Sequence, residues 1–366
     1  METPFEIFLI APPGLEPILA DEAREAGFAD AKAVPGGVAF NGDWPDVWRA
    51  NLVLRGATRV LVRVGSFMAF HLAQLDKRSR KVAWASLLNR DIPVKVEATS
   101  RKSKIYHAGA AQERIETALK ADGFTIGAGQ SLKVRIDDNR VTLSLDTSGE
   151  SLHKRGHKEA VGKAPMRETL AALCLRQAGY KGKEPVLDPM CGSGTFPIEA
   201  AEIAGGLLPG RSRRFAFEDL PSFHAAHWKR MKGEVVPRDT DQRFFGSDRD
   251  QGAVRMAEAN AVRADVGDLT QFACHSFSDV ARPDGPSGLV IINPPYGGRI
   301  GQKHMLYGLH TALGEVLRGK FKGWRVGIIT SEPGLAKVTG LPFLPDGPLV
   351  PHGGLKVRLY QTPPLK

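Results

Sequence analysis

The sequence predicts a mixed α+β half followed by a doubly wound α/β half built on a parallel sheet. Three observations carry that expectation. From "PVLDPMCGSGTFPIEAAEIA" onward, apolar strand-like runs alternate with amphipathic helical ones, as βαβ units require. Before Gly149 helices and strands come in mixed order, and "SLKVRIDDNRVTLSLDT" reads as two adjacent strands with a turn at Asp138–Asn139. The length, 366 residues, exceeds one ordinary domain and suits two or three.

In the first half, "FEIFLIAP" has the make-up of a strand, "GLEPILADEAREAGF" the period of an amphipathic helix, and "GGVAFNG" the make-up of a short strand. A helix over Trp44–Arg55 precedes the β-branched strand "TRVLVRVGSFMA". Helical "KVAWASLL", extended "IPVKVEATS" and helical "AGAAQERIETALKADG" follow. Small sheets are expected there, with no convergent set of catalytic side chains. In the second half the glycine-rich turn and its helix lead to strand "QRFFGSD", helix "DQGAVRMAEANAVRA", and strands "LTQFACHS" and "GLVIINPPY". Helix "MLYGLHTALGEVLRGKF" and strand "WRVGIITS" come last. Residues 205–243 interrupt this alternation and read as a partly helical insertion.

Composition narrows the class. At 42% hydrophobic and 25% charged the chain is an ordinary soluble globular one. No apolar run approaches ~18 residues and no basic start leads into an apolar stretch, so neither a membrane partner nor secretion is expected. Cys174, Cys191 and Cys274 are isolated, with neither disulfide nor zinc spacing, which fits a reducing cytoplasm and no metal. A net charge of +10 and a pI near 9.5 favour a polyanionic partner. The clusters "DKRSRK", "SRKSK", "HKRGHK", "RSRR" and "HWKR" are spread along both halves, as a folded surface touching a backbone at several points would have them. For His153–Lys158 a solvated basic face and an RNA contact both stay open.

The cradle is "DPMCGSGTFPIEAA", Asp188–Ala201. A strand ending at Asp188, then Gly192 and Gly194, lets backbone approach a ligand closely. Pro197 breaks the dinucleotide G-x-G-x-x-G pattern, though a first helical turn tolerates it. Phe196 after Thr195 leaves no Walker lysine, so neither a plain NAD or FAD site nor a nucleoside triphosphate site is expected. A mere connecting turn would use the same glycines. Asp248 ends "FFGSD", where a carboxylate can hold both hydroxyls of a ribose or cap the following helix. Its distance from Gly194 far exceeds the ~20 residues of a dinucleotide fold, and the insertion explains the excess.

The second signal is Asn293-Pro294-Pro295-Tyr296 after "GLVII". The carboxyl edge of a parallel sheet is where ligands sit. Two prolines stiffen the loop and offer carbonyls without a competing N–H. The Asn293 amide oxygen and the Pro294 carbonyl make two acceptors, the complement of an exocyclic NH2, and Tyr296 can stack on a base. Such a corner aligns a weakly nucleophilic amine and needs no strong base.

"DPMCGSGTFPIEAA", "GSD" and "INPPYGGR" resemble class I S-adenosylmethionine-dependent methyltransferases of nucleobase amines. "LHKRGHKEAVGKAPMRETLAALCL" resembles the segment that this class places before its first strand, against the methionine part of the cofactor. "PGLEPILADEAREAGF", "GVAFNGDWPDVWRANLVLRGATRVL" and "VEATSRKSKIYHAGAAQERI" resemble a ferredoxin-like domain followed by THUMP. The chain is thus similar throughout to THUMP-containing RNA guanine-N2 methyltransferases, the group around the bacterial 23S rRNA and archaeal tRNA enzymes.

The resemblance implies a ferredoxin-like domain over residues 1–60, a THUMP RNA-binding domain over 61–150, and a Rossmann-like methyltransferase domain over 151–366. It implies S-adenosylmethionine as cofactor, with Asp188, Gly192, Gly194 and Thr195 in its cradle, Asp248 on its ribose, and Pro165–Thr169, including Arg167, over its methionine end. Asn293, Pro294, Pro295 and Tyr296 would hold the target base. Two positions depart from the family pattern. His275 or Ser276 stands where an acidic residue usually meets the adenine, and Gly298 replaces the Glu of NPPYGER. Arg299 suits either a phosphate or a sheet-edge carboxylate, and Cys191 suits packing better than a methyl relay.

The implied reaction is methylation of a guanosine N2 amine in cytoplasmic RNA, with 23S rRNA first and tRNA second. Alternatives are adenine N6 methylation of RNA or DNA, which the tetrapeptide serves equally, and an inactive RNA-binding assembly factor. No segment speaks to oligomeric state.

Overall fold

The computed structural model describes residues 4–159, 166–296 and 303–366, and the chain divides into two compact units. Ala20–Leu152 and Arg213–Val235, with the chain up to Ala11, make the first. Pro12–Leu19, His153–Ser212 and the chain from Val236 make the second.

The elements of the first half run β1 (Phe5–Ile10), α1 (Glu16–Glu25), β2 (Lys32–Val34), β3 (Gly37–Gly42), α2 (Trp44–Val53), β4 (Arg59–Met68), α3 (Leu72–Ser79), α4 (Trp84–Leu87), β5 (Val94–Arg101), α5 (Ala108–Ala121), β6 (Gln130–Asp137) and β7 (Arg140–Asp146). In place of the expected small sheets there is one seven-stranded sheet, ordered β2-β3-β1-β4-β7-β6-β5. Pairing is antiparallel except between β5 and β6. The separate-looking pieces join because β4 pairs with β1 through its first half and with β7 along its length, bridging a bulge between Arg63 and Gly65. Alternation along β6 buries Leu132, Val134 and Ile136 on one face. The turn expected at Asp138–Asn139 is present, with φ of 49° and 60°, the positive pair that a tight hairpin demands and that Asp and Asn tolerate. Asp43 starts α2 with a capping box to Asp46.

In the second half α6 (Glu168–Gln177), β8 (Val186–Asp188) and α7 (Thr195–Ala204) precede β9 (Phe244–Asp248), α9 (Gln251–Arg263), β10 (Thr270–Cys274) and β11 (Leu289–Ile292). Then come α10 (Lys303–Lys320), β12 (Arg325–Thr330), α11 (Pro333–Val338), β13 (Val350–His352) and β14 (Leu355–Gln361). The strand order is β10-β9-β8-β11-β12-β14-β13. The first five strands are parallel as expected; β14 and β13 add an antiparallel edge. β11 is buried throughout because helices cover both faces of such a sheet. Val290, Ile292, Leu313, Phe321, Trp324 and Ile328 are central to its core.

Two expectations change. Part of the insertion, Arg213–Val235, belongs to the first unit, where its helix α8 (Ala225–Gly233) and the rings of Phe215, Phe217 and Trp228 cluster around Trp48. The cluster His153–Lys158 is largely turned inward as well, with Lys154 its one fully exposed cation. The Arg155 side chain is 1% exposed and pairs with the buried carboxylates of Glu199 and Glu202 on α7. Arg211 reaches the other Glu202 oxygen at 2.6 Å. Carboxylates on a buried helix face need cations, and the "basic" motifs supply them.

Arg155→Ala removes the buried cation shared by Glu199 and Glu202, leaving Arg211 on Glu202, and is expected to cost about 3–5 kcal/mol of stability. Denaturant unfolding checks this; an unchanged midpoint contradicts the assigned pairing.

Candidate functional site

Strand order decides where a ligand can sit. From β8 the chain proceeds to β9 and β10 on one side, and from β11 to β12 on the other. The reversal falls between β8 and β11, and the crevice outside their carboxyl ends is the binding position of such sheets. A cavity of about 470 Å³ lies there, and Asp188, Asp248 and Asn293, each at or just beyond a strand end, all line it.

The glycine turn forms its floor. Gly192 lines the cavity at φ 54°, and a Cβ built there meets nothing within 4 Å. Gly194, expected beside the ligand, does not line the cavity. A Cβ there would come within 2.9 Å of Ala257, so its glycine serves helix packing and the φ of 83° at the start of α7. Thr195, Cys191 and Ser193 also line the space. Burial pushes the Cys191 thiol well above its ordinary range, which fits packing.

Two carboxyl groups meet at this wall. Asp248 accepts the Gly192 N–H at 3.0 Å and the Asp250 N–H at 3.0 Å, fixing its orientation. Asp188 is buried and accepts the Met190 N–H at 3.0 Å. Burial first, and the charge of Asp248 second, push Asp188 up to about 8 against the Met190 bond. A buried acid with no cation beside it among the described residues suits a ligand with positive charge and hydroxyl donors. S-adenosylmethionine has an ammonium, a sulfonium and a ribose diol, so the acceptors present fit it.

A buried lysine joins the floor to the segment before α6. Lys158 Nζ donates to Thr195 Oγ1 at 2.8 Å and to the Met166 carbonyl at 2.8 Å, and pairs with Glu168 at 3.2 Å. Its three donors thus have three acceptors. Met166 and Thr195 both face the cavity. Of the segment expected over the methionine end, Arg167 is exposed at the start of α6, Thr169 is buried in its first turn, and neither lines the cavity. Pro165 lies outside the described residues, as do Gly298 and Arg299.

At and beside the position expected to meet the adenine, Ser276 and Phe277 line the cavity. His275 does not; its Nδ1 faces the Ser276 carbonyl at 3.0 Å and its N–H donates to the Asp248 carbonyl at 3.1 Å.

The tetrapeptide lies opposite the glycines. Asn293, Pro294, Pro295 and Tyr296 all line the cavity. Asn293 Oδ1 is buried with no hydrogen-bond partner among the described residues, an acceptor whose desolvation an incoming donor can offset. Burial first, and Cys174 second, push the Tyr296 phenol up to about 12, so it stays protonated and offers a ring face. His352, Gly353 and Leu355 complete the wall from the β13–β14 hairpin. Sequence reasoning missed them because they are far along the chain and match no motif; of the expected Pro165–Thr169 segment, Met166 is the described residue that lines the cavity.

Residues 155–342 match the family model described as RMKL-like, methyltransferase domain, and residues 6–61 match the RlmL ferredoxin-like domain. A candidate RNA methyltransferase of Synechocystis sp. is 32% identical over 95% of this chain and 94% of its own. This chain belongs to the RMKL-like methyltransferase family. Among solved structures, the candidate methyltransferase SMU.472, complexed with SAH, has 28% identity and a TM-score of 0.90 with both chains covered in full. A Listeria monocytogenes structure named a predicted N6-adenine-specific DNA methylase has 32% identity and a TM-score of 0.89, covering 98% of this chain and 96% of its own. The RMKL-like domain is a Rossmann-like methyltransferase fold behind a ferredoxin-like N-terminal domain, and its cofactor is S-adenosylmethionine.

Asp188 links ionisation to stability. Unfolded, its carboxyl ionises near the ordinary value of about 3.9; folded, it holds its proton to about 8. The ligand-free native state therefore binds more protons between roughly pH 4 and pH 8, and stability falls as pH rises through that window. Asp188→Asn is expected to flatten that dependence and raise the unfolding midpoint above pH 7. Thermal unfolding from pH 5 to 8.5 measures both; parallel curves for the two proteins contradict the buried-acid reading.

Proposed function

We propose that this protein draws a guanosine out of folded RNA and methylates its exocyclic N2 amine, with 23S rRNA as the first substrate and tRNA as the second. The observation that carries the reading is Asn293 Oδ1, without a hydrogen-bond partner among the described residues, at the wall of the Asp188–Asp248 cavity.

When bound, the cofactor supplies an electrophilic methyl on a sulfonium. Asp188, protonated while no cation faces it, would ionise against that positive charge, Asp248 would meet the ribose, and Gly192 leaves room. On the substrate side Asn293 Oδ1 and the Pro294 carbonyl accept the two N–H bonds of the amine. That orients its lone pair and weakens its conjugation with the ring. Tyr296 lies against the base as a neutral ring. Asn293, half-buried in a cavity, cannot reach an amine inside a paired stem, so the nucleotide must leave its stack at a cost of a few kcal/mol.

The name of the Synechocystis relative and the RlmL ferredoxin-like match support RNA. Residues 61–150 are the THUMP domain on this reading. The name of the Listeria structure favours a second reading, N6 methylation of adenine in DNA, because two acceptors serve either amine. An inactive assembly factor would have no use for the orphaned acceptor and the cation-seeking Asp188 in one cavity.

Mass spectrometry of nucleosides from RNA and DNA incubated with labelled cofactor separates the readings. N2-methylguanosine in RNA is expected; N6-methyladenine in DNA overturns the proposal. Asn293→Ala is expected to bind the cofactor within about two-fold of wild type while losing at least ~100-fold in turnover, since one lost oriented hydrogen bond in a dry site costs about 3 kcal/mol. Asp248→Ala is expected to weaken cofactor binding itself. Calorimetry with single-turnover assays distinguishes the two; equal cofactor loss in both variants contradicts the assigned roles.

A further inference from the structure

Three chain segments meet at one end of the first unit's sheet: the exits of β4 and β5 and the turn from β6 to β7. Register brings them there, pairing Met68 with Arg140 and Arg101 with Asp137. Asn139 ties them together. Its carbonyl accepts the Ala69 N–H at 2.9 Å, its side-chain oxygen accepts the Lys104 N–H at 2.8 Å, and its own N–H donates to Ser103 Oγ at 2.9 Å. Loops pinned this way could shelter their rings, yet Tyr106 is 75% exposed and Phe70 is 42% exposed. Lys104 Nζ stands 5.5 Å from the Phe70 ring centre, and the His107 ring lies 4.6 Å from Tyr106. Arg101, Lys102, Lys104, Arg135 and Arg140 are all exposed around them. Asp137 engages Arg101 at 2.9 Å and Arg135 at 2.8 Å, and with Asp138 it leaves the patch cationic. Lys102 holds a φ of 48°, a strained geometry for a residue with a side chain.

We propose that this end of the sheet is a base-stacking site for a single-stranded segment of RNA. Tyr106 and Phe70 are its platforms, and Lys102, Lys104 and Arg140 meet its phosphates. Exposed rings interleaved with cations match single-stranded nucleic acid, whose bases offer free faces. A duplex hides those faces and is held through its backbone and minor groove. A protein partner would find little apolar area and an excess of Lys, which interface centres avoid. The site rests on the reading of RNA as substrate and adds where an unpaired stretch is gripped.

Fluorescence anisotropy with a short fluorescein-labelled RNA, single-stranded and annealed to its complement, tests it on the full chain. Wild type is expected to prefer the single strand. Tyr106→Ala and Phe70→Ala are expected each to weaken it about five-fold or more, the equivalent of at least ~1 kcal/mol per stacked base. Lys102→Ala and Lys104→Ala are expected to flatten the log-affinity against log-salt slope by about 0.7 for each phosphate left unneutralised. Cofactor affinity should hold in all four variants, since none of these residues lines the cavity. Unchanged single-strand affinity in both ring variants, a preference for duplex, or no binding at micromolar protein overturns the site. Tyr106-dependent binding without N2-methylguanosine in the wild-type reaction sinks the guanine assignment and leaves the site standing. N2-methylguanosine formation with Tyr106-independent binding does the reverse.

Discussion

The reversal of strand order between β8 and β11 is the constraint on which the catalytic half turns. Neighbouring parallel strands whose connections depart in opposite directions leave their carboxyl ends uncrossed by backbone. The opening cannot be filled by ordinary side chains without cost, because its rim consists of strand ends and a glycine turn with free polar groups. Asp188 and Asn293 follow adjacent strands and Asp248 ends the next. Two carboxyl groups and an amide oxygen therefore converge although more than a hundred residues separate the first from the last. Asp248 is oriented by two backbone N–H groups, but the other two are not well satisfied by the described residues. Asp188 is held protonated by its surroundings, and Asn293 Oδ1 has no donor among the described residues. The site stores unmet electrostatic demand, the condition for a ligand to be bound by charge and hydrogen bonds.

Charge elsewhere in this half is used inwardly. Arg155, Lys158 and Arg211 sit among Glu168, Glu199 and Glu202. Each cation bonds a different part of the chain: Arg155 the buried face of α7, Lys158 the cradle and the Met166 carbonyl, Arg211 the end of α9 through the Ala264 carbonyl at 2.5 Å. Ion pairs in such surroundings add little net stability but penalise every wrong arrangement heavily, so they fix how the cradle, the chain just before α6 and helix α9 meet.

Much of this was legible in the sequence. Strand and helix periods gave most elements up to β12 but not β2, α3, α6, α11 or the β13–β14 hairpin, and the Asp-Asn turn between β6 and β7 followed from which residues tolerate positive φ. The cradle and the tetrapeptide were readable because their chemistry is local: glycines at a strand end and stiffened carbonyls beside an amide oxygen. What stayed hidden depends on partners far away in sequence. "HKRGHK" looks solvated until Glu199 and Glu202 are seen opposite it, since period analysis cannot tell an acidic surface stripe from one turned inward. Gly192 and Gly194 look equivalent on paper; only the neighbours of each Cβ separate the one with open space from the one pressed on Ala257. The single wide sheet of the first half was missed because strand pairing across β4 is non-local. His352 and Leu355 carry no motif, and they reach the cavity only through an antiparallel edge added to a parallel sheet.

The first unit is also discontinuous in a way that orders its birth. Trp48 is 1% exposed, and Phe217, Phe223 and His227 supply rings within 6.1 Å of it. A ribosome that has delivered every strand of the first sheet has not yet delivered those rings; the β8 strand and the glycine cradle must emerge before them. The nascent N-terminal half therefore lacks these ring partners of Trp48 until the chain past the glycine cradle has been made. Separating the halves by a simple cut near residue 150 would remove that cover, so their inheritance as one polypeptide is built into the packing.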